Sequence, residues 1–137
     1  MSYTFLEHTA DVKFRATGTT LEEVFTDSAM ALKEIVCGNI EISDAVEKEV
    51  VVEGKDLEGL LYDFLEEFLV LLDSEDFLLN KIKEIKIDEN EFKLRAVVSG
   101  DKAEKYKFTN DVKAVTYNDI FVRTEGDKFV AQVVLDV

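Results

Sequence analysis

The 137-residue sequence has no tryptophan and no proline, a single cysteine (Cys37) and a single histidine (His8). Without proline no slow prolyl isomerisation is expected during folding, and the loops are expected to be short. One cysteine can neither close an intramolecular disulfide nor build a cysteine zinc cluster. Cys37 also falls on the apolar face of a helical pattern, where it reads as a small buried hydrophobe rather than a nucleophile. Long apolar runs are missing too: the longest inside a helical pattern, Phe68-Leu69-Val70-Leu71-Leu72, is far too short to span a bilayer. No basic-plus-apolar leader precedes Tyr3, so no signal peptide is expected and the expected location is the cytoplasm, with no membrane partner. The sequence contains no GxSxG, P-loop, glycine-rich dinucleotide turn or HExxH. Gly54 and Gly59 flank a helix start, but no P-loop lysine follows, so nucleotide binding is not expected.

Positive charge is scarce. Thirty acidic residues face sixteen basic ones, a net charge of −14. Nucleic-acid binders gain affinity by replacing counterions with lysine and arginine. This chain would repel phosphate over most of its surface, which predicts a protein or a metal ion as partner and no direct grip on nucleic acid. Solubility alone is the simpler reading of the charge. Apolar residues make up 47% of the chain, which excludes disorder. The length fits one domain over 1–137, burying roughly 65–70% of its unfolded surface.

Two helices are predicted. Thr20-Leu21-Glu22-Glu23 has the form of a capping box. Leu21, Val24, Phe25, Ala29, Leu32 and Val36 follow at helical spacing, with Gly38 as the expected terminator. Asp56 can cap a second helix running to about Asp73, apolar around most of its circumference. Its acids Asp63, Glu66 and Glu67 share a face and read as a solvated stripe rather than a metal cluster. Strands are expected from Tyr3 to Glu7, Val12 to Thr17, Glu47 to Gly54 and Lys102 to Phe108. Further strands are expected in a hairpin about Asp88-Glu89-Asn90, over Val112 to Val122, and from Phe129 to Val137 after a turn at Glu125-Gly126-Asp127. Strands that follow one another in hairpins predict an α+β fold, with both helices packed on one face of a largely antiparallel or mixed β-sheet.

Three stretches can carry chemistry. In "EHTADV", His8 and Asp11 flank the junction of two strands. A structural turn, part of a metal or polar site, and a base with its orienting acid all stay open from spacing alone. In "VVLDV", Asp136 and the terminal carboxylate of Val137 form a compact pair of hard oxygen donors suited to calcium or magnesium, against the simpler reading of a frayed end. In "VKAVTYND", Lys113, Thr116 and Tyr117 interrupt an apolar stretch. Lysine there can neutralise a carboxylate or meet a phosphate, or simply blunt a sheet edge.

Four segments, in order, resemble the archease family: "HTADVKFRATGTTLEEVFTDSAMAL", "DLEGLLYDFLEEFLVLLDSE", "VKAVTY" and "VVLDV". The resemblance covers nearly the whole chain and implies the archease fold. It also implies an accessory role rather than an enzyme: activation of the RNA ligase that joins tRNA exon halves. Archeases promote guanylylation of that ligase's active-site histidine, allow repeated turnover and broaden the nucleotides accepted. The implied cofactor is a divalent metal, calcium in archaeal members. Its carried-over ligands are Asp11, Asp136 and the Val137 carboxylate, with Lys113 the next functional candidate and His8, Thr116 and Tyr117 beside it. The chain departs from the family at Asn118, where many members have histidine, and lacks a further histidine in the region of Tyr106 to Thr109. The competing expectation is a general chaperone or modulator of tRNA-modifying enzymes without metal chemistry.

Overall fold

The computed structural model describes residues 2–6, 11–108, 110 and 112–137. These form β1 (Ser2–Leu6), β2 (Asp11–Gly18), α1 (Leu21–Cys37), β3 (Val46–Glu53), α2 (Leu57–Glu75), β4 (Phe77–Asp88), β5 (Lys93–Lys102), a short 3-10 turn (Ala103–Lys105), β6 (Ala114–Glu125) and β7 (Lys128–Asp136). All the strand pairings are antiparallel. The fold is α+β, as expected, but the strands divide between two sheets. One has the order β1-β2-β7-β6, the other β3-β5-β4. Both helices touch both sheets: α1 packs on β2, β7 and β4, and α2 on β6, β3 and β4.

The helix ends follow their local chemistry. The Thr20 side chain accepts the Glu23 N–H at 3.1 Å, while the Glu23 carboxylate reaches back to the Thr19 N–H at 2.9 Å. Gly38 ends α1 at φ 71°, its N–H donating to Glu34 O. The Asp56 carboxylate accepts the Gly59 N–H at 2.7 Å and starts α2. Each helix also uses a first-turn glutamate to occupy an edge strand. Glu22 takes the Ile87 N–H on β4, and Glu58 takes the Val122 N–H on β6. A filled edge donor is one fewer template for unwanted pairing.

Aromatic rings join the layers. Phe25 and Phe64, both fully buried, lie 6.1 Å apart between the helices, and Phe64 meets Phe68 edge-on at 5.0 Å. Edge-to-face pairs of this kind stabilise beyond their buried area. Cys37 is buried at the end of α1, where burial pushes its thiol pKa up.

The expected strand from Lys102 to Phe108 does not form. The Ala103 N–H instead goes to Asp76 O and the Tyr106 N–H to Ala103 O, which turns the chain. The Tyr106 hydroxyl then donates to Asp101 Oδ2 at 2.8 Å and accepts the Ser43 N–H at 2.9 Å. Local turn bonds with a buried acid as anchor win over alternating hydrophobicity here.

Candidate functional site

Antiparallel pairing of β2 with β7 joins the two ends of the sequence. Asp11 lies directly opposite Asp136, and Ala114, the first residue of β6, faces Asp136 from the other side. Residues in that relation carry β-carbons about 4.5–5.5 Å apart on one face of a sheet. The face is set by alternation: Phe14, Val133 and Leu135 turn to the core, so Asp11 and Asp136, an odd number of positions away along their strands, turn outward. Asp11, Asp136 and Val137 are all half-buried, and Val137 packs against the core edge, so this end of β7 is not frayed. The Lys113 N–H donates to Asp136 O at 2.7 Å and fixes the entry to β6 beside the carboxylates.

The other sequence candidates separate. His8 lies outside the described residues. Lys113 is exposed and lines a hollow of ≈ 190 Å³ with Glu66, Asp73 and Ala114, between α2 and the start of β6. Thr116 spends its hydroxyl inside the sheet, donating to Val134 O at 3.0 Å. Tyr117 leaves the sheet altogether. Between the pairs Thr116–Val134 and Phe121–Gln132, four residues of β6 face one of β7, so three extra residues bulge from the edge. The bulge carries Tyr117 onto Tyr62 of α2, with ring centroids 4.1 Å apart and planes 10° from parallel.

That stack stands among acids. A hydrogen bond to Glu66 is the main cause that pushes the Tyr62 hydroxyl up to about 12, with burial adding to it. Burial, then the charges of Asp63, Asp56 and Glu66, raises Tyr117 as well. The stripe on α2 is less solvated than its spacing suggested. Asp63, Glu66 and Glu67 are half-buried, and burial raises the pKa of Asp63 and Glu67. Among the described residues, no group of three or more histidine, cysteine, aspartate or glutamate side chains is placed to hold a metal ion. The donors that the register brings together at the β2–β7 end are the side-chain carboxylates of Asp11 and Asp136.

Sequence reasoning missed the other end of the same outward face. There Gln132, 5% exposed, accepts from Arg15 Nε at 2.8 Å and donates to the Asp119 carbonyl at 2.7 Å. An amide inside the apolar run Val130 to Leu135 was the available signal, since a buried amide needs partners.

The Archease protein family model matches residues 3–137. The archease of Methanosarcina mazei is 39% identical over 139 residues, covering 98% of this chain and 95% of that protein. The archease of Pyrococcus furiosus is 41% identical over 136 residues, covering 96% and 95%. The solution structure of protein 1598 of Methanobacterium thermoautotrophicum matches with a TM-score of 0.81 at 32% identity, over 98% of both chains. A Thermotoga maritima crystal structure of an archease, termed a "possible chaperone", shares the fold with a TM-score of 0.68 at 23% identity, over 96% of this chain and 94% of that one. The chain belongs to the archease family. Among the described residues, no helix is long and apolar enough to cross a membrane.

Proposed function

We propose that this chain is an accessory activator of the tRNA-splicing RNA ligase, promoting guanylylation of the ligase and its repeated turnover. In this reading Asp11, Asp136 and the main-chain carboxylate of Val137 hold a divalent cation; hard oxygen donors suit calcium or magnesium, and the resemblance to archaeal archeases favours calcium. The carrying observation is the β2–β7 register, which sets Asp11 opposite Asp136 on the outward face. A divalent ion with oxygen preference suits two carboxylates opposed across a sheet in this way. The donor set is small for calcium, which takes six to eight oxygens, so water and the partner's own oxygens complete it. When bound, the cation supplies positive charge against phosphate oxygens of the nucleotidyl transfer.

The chain's own residues position and exclude. The β7 ladder and the Lys113 N–H to Asp136 O bond hold the carboxylates on a rigid sheet end. An acidic chain of net charge −14 is drawn to a basic partner mouth, an attraction that weakens with salt. No nucleophile is needed in this role, so the chain is not itself an enzyme, and the cytoplasm is its expected site of action. The structural relative termed a "possible chaperone" is compatible with a protein partner.

The test is a guanylylation assay on the cognate ligase with wild type and Asp136→Ala, alongside calorimetric titration of each with calcium chloride. Wild type is expected to stimulate and to bind calcium. Asp136→Ala is expected to keep its circular dichroism and lose both. Full stimulation by the variant defeats the metal reading in favour of a metal-free chaperone.

A further inference from the structure

Two of the three arginines in the sequence converge on one ring. Arg123 Cζ lies 3.9 Å from the centroid of Phe121, and Arg15 Cζ lies 5.6 Å from it. Phe121 faces Gln132 across the β6–β7 ladder, and Gln132 faces Arg15 across β2–β7. This patch is therefore on the outward face of the four-stranded sheet, the face that carries Asp11 and Asp136. Along β2 the outward residues run Asp11, Lys13, Arg15. At about 3.4 Å per residue, Arg15 stands roughly 14 Å from Asp11. Among the described residues the helices lie on the opposite face, against Phe14, Ala131 and Val133.

The patch is built rather than incidental. Arg15 is exposed, yet its Nε is held by the buried Gln132 amide, which is itself held by the Asp119 carbonyl. Lys13 Nζ reaches Asp119 Oδ2 at 3.6 Å. Cation–π contact with Phe121 steadies both guanidiniums. A side chain fixed before contact loses less entropy on binding. Arginine and large aromatics are the residues that carry interface energy. Arg123 is shared with Glu125 at 2.8 Å in an exposed ion pair, worth little and readily exchanged for a partner's acid.

We propose that the arginine patch carried by β2 and β6 on this outward face is the docking surface for the partner protein, with Arg15, Phe121 and Arg123 anchoring a carboxylate-bearing segment of that partner. This rests on the function proposed above, because Asp11 and Asp136 turn to the same face as the patch. Charge selects a protein rather than an RNA strand. Asp11, Asp136, Asp119 and Glu125 stand among the cations, so a continuous polyanion meets repulsion at every step. A protein surface can present a cation-binding mouth at one end and an acid roughly 14 Å away.

The experiment titrates ligase guanylylation with wild type, Arg15→Glu, Arg123→Glu and Phe121→Ala. Arg95→Glu is the control: the third arginine, on the other sheet, pairs with Glu49 and gives the same charge change. Thermal unfolding checks each variant's fold. Arg15→Glu and Arg123→Glu are expected to raise the half-maximal concentration about tenfold with the maximum retained, and Arg95→Glu to stay near wild type. No stimulation by wild type overturns the proposed function and this inference together. Stimulation by wild type with unchanged curves for Arg15→Glu and Arg123→Glu overturns the docking face alone. An equal effect of Arg95→Glu reduces the result to net charge and overturns it too. Binding of an oligouridylate by the isolated wild type, lost in Arg15→Glu, makes the face an RNA site and overturns the protein-docking assignment.

Discussion

Replacing Gln132 by leucine separates the brace of the outward face from its packing. The two side chains are close in size, so the space at position 132 on the outward face is left filled. Two hydrogen bonds disappear, Arg15 Nε to Gln132 Oε1 at 2.8 Å and Gln132 Nε2 to Asp119 O at 2.7 Å. Each is worth about 1 kcal/mol net, the low figure applying because Arg15 and Asp119 are exposed and regain water. Leucine returns roughly 1 kcal/mol through added apolar burial. The expected net loss is about 1 kcal/mol, a fall in Tm of about 3–5 °C for a chain of this size. Asp119 has φ 56°, a left-handed backbone that costs roughly 1 kcal/mol and that the Gln132 bond helps to hold. A double-mutant cycle of Gln132→Leu with Arg15→Met, read by urea unfolding, should give a coupling of about 0.5–1 kcal/mol. Zero coupling together with an unchanged Tm for Gln132→Leu refutes the bracing role.

Two further perturbations test the fold. Gly100→Ala should destabilise by about 2 kcal/mol. Its β-carbon would run into the Leu78 carbonyl oxygen and stand 2.6 Å from Phe77 Cζ, and an oxygen in a paired strand cannot retreat. The urea midpoint should fall at constant m-value, and an alanine variant as stable as wild type sinks the steric argument. Asp27 is 5% exposed with no partner for Oδ2 among the described residues. Burial chiefly, then the charge of Glu23, raises its pKa. The folded chain therefore holds this proton more tightly than the unfolded chain, whose aspartate titrates near 3.9 (about the model-peptide value). Stability from this group is complete below that pH and is lost as pH rises through the folded value. The advantage of Asp27→Asn over wild type should thus grow as pH rises from about 4 and level off once the pH has passed the folded value. A difference that does not vary with pH contradicts the assignment.

Local chemistry made the helices legible. Thr20, Asp56 and Gly38 act through partners within four residues, and short-range bonds of that kind leave a mark in sequence. The division into two sheets left none. Alternation in a strand reports that one face is buried, not which strand lies beside it. The sheet β1-β2-β7-β6 pairs residues more than a hundred positions apart, while β3-β5-β4 gathers the middle of the chain. Lys102 to Phe108 misled because its apolar positions alternate, although the Tyr106 N–H closes a turn three residues back on Ala103 O.

The β6 bulge was invisible for a related reason: extra residues exist only by comparison with the opposite strand. "VTYND" reads as one continuous strand, yet its side chains serve two separate surfaces. Thr116 stays in the ladder, Tyr117 stacks on α2 among Asp63 and Glu66, and Asp119 turns to the outward face to meet Gln132 and Lys13. Bulges at sheet edges re-aim side chains in this way and cluster near functional surfaces. A strict ladder would have sent residues 117 and 119 to the same side, because neighbours two apart share a face. Freed from that constraint, one short segment buttresses α2 and also completes the arginine patch. The candidate site is thus legible in its parts, Asp11 and Asp136 by resemblance and Lys113 by its motif. Its frame comes from a register and a bulge that only the paired strands reveal.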